Sequence, residues 1–135
     1  MSNFDKKCVI IFDEMSIKRY LDYNTKDDII YGFSDFGDLG RSSTIATHVL
    51  SFSLRGLNRN WKQTISFYVG TATGIQIAEI LKDTISKISG IGFRVLAVCC
   101  DQGSNNRNAY RLLGATEAIP YKLTGNSKVC KQQQP

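Results

Sequence analysis

Two continuous apolar runs, each closed by an aspartate, set the tightest limit on what this chain can become. Cys8-Val9-Ile10-Ile11-Phe12 leads into Asp13, and Val95-Leu96-Ala97-Val98-Cys99-Cys100 leads into Asp101. Unbroken runs of this length, rich in β-branched residues and without polar alternation, are what strands covered on both faces require. They are far shorter than the ~20 residues of a membrane span. The first run also ends in Asp13-Glu14, which suits neither an anchor nor a secretory signal. The expectation is a soluble intracellular protein with no membrane partner.

A chain of 135 residues, 42% hydrophobic and 21% charged, has room for one domain around one core and is not a disordered or collagenous type. Its 17 basic against 12 acidic residues give a formal charge of +5, which suits an anionic partner such as a nucleic acid backbone. The four cysteines, Cys8, Cys99, Cys100 and Cys130, have no CxxC pairing and no histidines at zinc spacing. They read as buried free thiols.

Between the two apolar runs the pattern is mixed. Val9 to Phe12 is the first strand. Tyr20 to Tyr23 and Ile29 to Phe33 read as short strands around a polar turn, and Ser34 to Ser43, with Gly37 and Gly40, as a loop. Ile45 to Leu54 is a long strand. Beyond the turn Arg55 to Asn60, Ile65, Phe67 and Val69 alternate with Ser66 and Tyr68 as in a further strand. Thr73 and Gln76 have capping-box spacing. Ile77, Ile80, Leu81, Thr84, Ile85 and Ile88 then mark one helix face, with Gly90 as a stop. After Val95 to Cys100 a short helix is expected from about Asn105 to Leu113, with Ser104 as N-cap and Gly114 as C-cap. Ala118 to Leu123 has strand character, whereas Ser127 to Pro135 shows no periodicity.

Strand, strand, strand, helix, strand, helix is the first two-thirds of a ribonuclease H-like domain. The fold class expected is therefore α/β: a three-stranded antiparallel meander followed by helix, parallel strand and helix, incomplete at the C-terminus. A strand returning through a crossover helix runs parallel, and in this fold it lies beside the first. Asp13 and Asp101 would then emerge side by side. Two close carboxylates repel each other unless a cation lies between them, and hard oxygen donors select Mg²⁺ or Mn²⁺. An aspartate at a strand end also simply starts a turn, so pattern alone leaves both readings open.

The words "IFDEMSIKRYLDYN", "GFSDFG", "LRGLNRNWKQTISFYV" and "VLAVCCDQGSNNRNAYRLLG" occur here in order. They resemble the catalytic core of P element transposases and the related THAP-domain transposases, from about Cys8 to Gly114. The resemblance implies residues 1–7 as an N-terminal extension, 8–114 as a partial ribonuclease H-like transposase core and 115–135 as a divergent, disordered tail. It also implies that Asp13 and Asp101 are the first two catalytic acids of a metal-binding triad, with Mg²⁺ or Mn²⁺ as cofactor. The reaction class it implies is DNA cleavage and strand transfer by hydroxyl attack on a phosphodiester, in the nucleus.

Three departures qualify that implication. The family's last acid lies beyond an inserted guanine-nucleotide-binding domain, and the only acid here after Asp101 is Glu117, too close to the short helix to take that place. The family's GTP site is absent from this chain. The segment after Gly114 lacks the family's histidine-containing stretch, and only seven residues stand before Cys8, where a zinc-binding THAP finger would precede the core. The expectation is a partial transposase domain, inactive alone, whose DNA binding is weak, non-specific and salt-sensitive. The alternative is a non-catalytic remnant that serves as a DNA-binding or protein-interaction module. An open strand edge where a further strand should pair makes self-association an expected liability.

Other residues have plainer readings beside their functional ones. Glu14 points away from Asp13's side of the strand. Asp35 is a turn acid or a neighbour of the metal site. His48, the single histidine, is a packed or edge residue. Trp61 is a core anchor, or an aromatic between Arg59 and Lys62 for stacking on a base. Gly70 to Gly74 lacks phosphate-loop spacing and reads as helix capping. Arg107 and Arg111 lie one turn apart, where they would face a DNA phosphate if they are not merely a solvated basic face. With Lys62 they complete the candidate nucleic-acid contacts.

Overall fold

The structure, a computed structural model, describes residues 2–101, 103–115, 121–124 and 127–130, the last two segments by their backbone. Its centre is a six-stranded sheet in the order β5-β4-β7-β6-β1-β8, made of β1 (Lys7–Ser16), β4 (Phe33–Asp35), β5 (Arg41–Ile45), β6 (His48–Gly56), β7 (Lys62–Val69) and β8 (Arg94–Cys99). The strands β2 (Asp22–Asn24) and β3 (Ile29–Tyr31) form a separate hairpin. The two helices are α1 (Gly74–Gly90) and α2 (Ser104–Leu112).

β1, β6 and β7 form the expected antiparallel meander, and β8 returns through α1 to pair parallel with β1. The cause is visible in side-chain parity. Cys8, Ile10 and Phe12 alternate onto one face of β1, matched by Leu50, Phe52 and Leu54 of β6, and all six are buried. Phe12 and Phe52, cross-strand partners, stack with ring centroids 5.1 Å apart. α1 covers this face with the predicted Ile77, Ile80, Leu81, Thr84, Ile85 and Ile88, joined by Ala78. Trp61 leans edge-on against Phe93 at 5.7 Å, the expected anchor at the entry to β7.

α1 starts at the capping box: the Thr73 hydroxyl accepts from the Gln76 amide, and the Gln76 side chain accepts from the Thr73 amide. Its stop is Gly92, not Gly90. Gly92 has φ +90° and donates to Ser89, while Phe93 donates to Ile88, closing a Schellman motif. α2 ends the same way at Gly114, with φ +87° and bonds from Gly114 to Arg111 and from Ala115 to Tyr110. Its N-cap is Gly103 rather than the predicted Ser104, and no side chain caps it. Gly74 explains how close the helices come: a Cβ there would lie 2.6 Å from the Asn108 amide nitrogen.

The structure departs from several further expectations. Ser34 to Ser43 is not a loop: it carries the end of β4, a single 3-10 turn at Gly37–Leu39 and most of β5, so the sheet gains two strands beyond the meander. Ile45 belongs to β5, and the chain breaks at Ala46-Thr47 before β6, where the Ala46 amide donates to Gly32. The expected disordered tail contains a hairpin, β9 (Tyr121–Thr124) with β10 (Ser127–Cys130). β10 lies close beside β8 without joining its ladder, so the strand edge expected to be open has a neighbour. The rest of that expectation falls on residues 116–120, 125–126 and 131–135, outside the described residues. Among the described residues no helix is long and apolar enough to cross a membrane.

Candidate metal centre

The parallel ladder between β1 and β8 runs to Ile11 opposite Cys99. Two further residues along each chain stand Asp13 and Asp101. Side chains two apart on a strand share a face, so Asp13, within β1, lies on the face of Val9 and Ile11, whereas Asp101 lies two residues past the end of β8, just before α2. Adjacent strands lie ~4.8 Å apart. Both residues are exposed.

Each carboxylate is partly oriented by the chain. Asp13 Oδ1 accepts from the Glu14 amide at 2.9 Å. Asp101 Oδ1 accepts from the Gly103 amide at 3.0 Å and from the Asn106 side-chain amide at 2.7 Å. The buried Cys100 thiol, next to Asp101, donates to the Tyr110 hydroxyl at 3.1 Å; that hydroxyl donates to Val98 at 3.3 Å. Burial pushes the Cys100 thiol up to about 11; the Tyr110 bond opposes this, and the fields of Asp101, Cys99 and Asp13 add to it. This pairing of hard, exposed, anionic oxygens fits a hard divalent cation such as Mg²⁺ or Mn²⁺. Among the described residues no group of three or more His, Cys, Asp or Glu side chains gathers.

A family model described as "TNP-like, RNase H N-terminal domain" matches residues 1–114. The chain belongs to that family. It is 30% identical over 114 residues to the "Transposable element P transposase" of Drosophila melanogaster, covering 84% of this chain and 13% of that protein. It is 28% identical over 133 residues to human "DNA transposase THAP9", covering 95% of this chain and 14% of that protein. The solved "Drosophila P element transposase strand transfer complex" superposes with a TM-score of 0.71 at 25% identity, over 95% of this chain and 26% of that one. The chain thus spans about one-seventh of the length of the curated relatives it matches. The resemblance read from its sequence words holds, and the ribonuclease H-like fold with it.

Within this RNase H N-terminal domain the other predicted residues separate into near and far. Glu14 has the parity of Phe12 and leaves the opposite face from Asp13. Arg107 and Arg111 lie exposed on α2, which begins just after Asp101; Arg111 donates to Asn108 at 2.9 Å. Lys62 is at the other end of the sheet. It pairs with Arg55, which lies level with Val9, four residues or ~13 Å before Asp13, so the fold does not bring it to the acids. Asp35 is a turn acid: its Oδ1 accepts from the Gly37 amide at 2.8 Å and its Oδ2 pairs with Arg41 at 2.9 Å. His48, at the start of β6, has Nε2 3.3 Å from Ser16 Oγ and Nδ1 2.8 Å from Thr47 Oγ1. Cys8 and Cys100 are buried free thiols and Cys99 is half-buried, whereas the side chain of Cys130, like Glu117, lies outside the described residues. Asn106 and Tyr110 were not singled out in the sequence. Their signal is an amide and a hydroxyl in the helix that follows the acid, spaced to reach back to it.

Proposed function

We propose that this chain supplies the first two carboxylates of the metal-dependent catalytic core of a P element-type DNA transposase, Asp13 and Asp101, acting on phosphodiester bonds in the nucleus. The observation that supports this reading is the parallel register of β1 and β8, which pairs Ile11 with Cys99, each two residues before one of the acids. Mg²⁺ or Mn²⁺ bound there would supply charge stabilisation for an attacking and a leaving oxygen. The chain's own part is preorganisation. The Gly103 amide and Asn106 hold the Asp101 carboxylate and the Glu14 amide holds that of Asp13, in each case through Oδ1. Arg107 and Arg111 offer exposed positive charge on the adjoining helix for a DNA backbone phosphate. DNA binding by this segment alone is expected to be weak and strongly salt-dependent, because phosphate contacts dominate it.

Calorimetric titration of the chain with Mn²⁺ tests the assignment. Weak saturable binding is expected, reduced at least ~10-fold, or about 1.4 kcal/mol, by either Asp13→Asn or Asp101→Asn. Equal binding by the folded wild type and both variants would remove the acids from the proposal. A nicking assay on transposon-end DNA with Mn²⁺ then reads whether the segment reacts by itself, and the expectation is no cleavage.

A further inference from the structure

The acids lie at the end of the sheet where β1 finishes, and the same end continues sideways. Ser16, three residues past Asp13, meets His48 across the ladder. His48 Nδ1 in turn lies 2.8 Å from Thr47 Oγ1 and 3.4 Å from Thr71 Oγ1. Thr47 and Thr71 form one wall of a cleft of about 350 Å³ between the β4–β5 edge and the start of α1. Ser34, Ser42, Thr44 and Arg41 also line it, and among the described residues no carboxylate does. A second cleft of about 440 Å³ shares Phe36 and Leu39 with it but carries Asp38, Glu79 and Asp83, with Lys87 already paired to Asp83 at 2.7 Å. Both clefts are partly apolar, but the polar side chains of one are hydroxyls, the Gln76 amide and a guanidinium, and those of the other are three carboxylates with Tyr68 and the paired Lys87.

Resting on the function proposed above, we infer that the Arg41 cleft is a phosphodiester-binding groove holding the DNA strand that runs across the sheet end to the acids. Hydroxyls and a guanidinium are the side chains that contact phosphate oxygens irrespective of base. The spacing fits a strand. From β1 to β4 and β5 is three to four strand spacings, ~14–19 Å, or about four to six nucleotides at ~3.4 Å each. The acidic cleft beside it repels the same backbone and so bounds the path on the α1 side. Arg41 is not idle in the free protein: it is held by Asp35 at 2.9 Å, with both side chains solvent-accessible. A phosphate would share or replace that carboxylate.

The test is fluorescence anisotropy of a labelled DNA duplex with the whole chain, in EDTA so that metal binding at Asp13 and Asp101 has no bearing on the result. Arg41→Gln is expected to weaken binding about 3- to 10-fold and lower the slope of log K against log salt by about 1. Asp35→Asn, which releases Arg41, should tighten it. Thr44→Val, which leaves the ion pair intact, should weaken it about two-fold. Glu79→Gln in the acidic cleft should not weaken it. The inference is overturned if the wild type does not bind DNA, if Arg41→Gln and Thr44→Val both bind like wild type, or if a mononucleotide displaces the duplex at equal phosphate concentration. A groove effect without Mn²⁺ binding at the acids would sink the catalytic proposal and leave this one standing.

Discussion

The two flanks of the sheet are built on different principles. On one, β1 and β8 run parallel, their apolar residues buried under α1, with one carboxylate late in β1 and another just past β8. On the other, β4 and β5 pair irregularly, β5 reads Arg-Ser-Ser-Thr-Ile with only Ile45 half-buried, and an ion pair between Asp35 and Arg41 spans them. The first flank is held by burial, which fixes positions to within a side chain. The second is held by backbone hydrogen bonds and polar side chains in contact with water, which leaves its donors accessible to a ligand. Rigid placement of the acids and an adaptable polar edge are the division of labour a strand-binding catalytic segment needs.

The largest effect that could break this contrast lies under the first flank. Phe52→Ala removes a fully buried ring stacked on Phe12 and should cost ~3–5 kcal/mol in urea unfolding. A cost under 1 kcal/mol would mean that the β1–β6 core is not what holds the acids. Gly74→Ala drives a methyl into Asn108 where α1 meets α2, and ~1–3 kcal/mol of destabilisation is expected. Thr73→Ala, which deletes the α1 cap, should cost ~1 kcal/mol. At the second flank Arg41→Gln removes an exposed ion pair, and its stability effect should stay under ~1 kcal/mol while its effect on DNA binding does not.

pH sharpens the same comparison. Burial raises the Cys8 thiol from 9.0 to about 11, so the folded chain keeps a proton that the unfolded chain releases. Stability from this source is complete below pH 9 and declines as pH rises towards 11. Cys8→Ala should flatten the fall in urea midpoint between those values. An unchanged slope would place that loss elsewhere.

What was legible in the sequence follows the same division. Continuous apolar runs announce buried strands, and the α1 stripe of Ile77, Ile80, Leu81, Thr84, Ile85 and Ile88 announces its covered face. These were readable because burial imposes periodicity. β5 was missed because an edge strand needs a ladder on one side only and can be made of serine and threonine, which leave no apolar pattern. Asp101 is legible as an acid just past a buried strand, but β1 continues through Asp13 to Ser16 rather than ending there, and the Asn106 and Tyr110 contacts depend on how α2 folds back over β8. The distance of Lys62 from the acids is not legible, because closeness to Trp61 and Arg59 in sequence says nothing about which end of the sheet a strand begins at.

The spatial core of the account can be read from one spectrum. Sub-stoichiometric Mn²⁺ added to ¹⁵N-labelled chain should broaden the amide signals of Asp13 and Glu14 together with those of Asp101 and Gly103, while Lys62 stays sharp. Broadening at only one of the two strand ends, or uniform loss across the surface, would contradict a single cation held between β1 and β8.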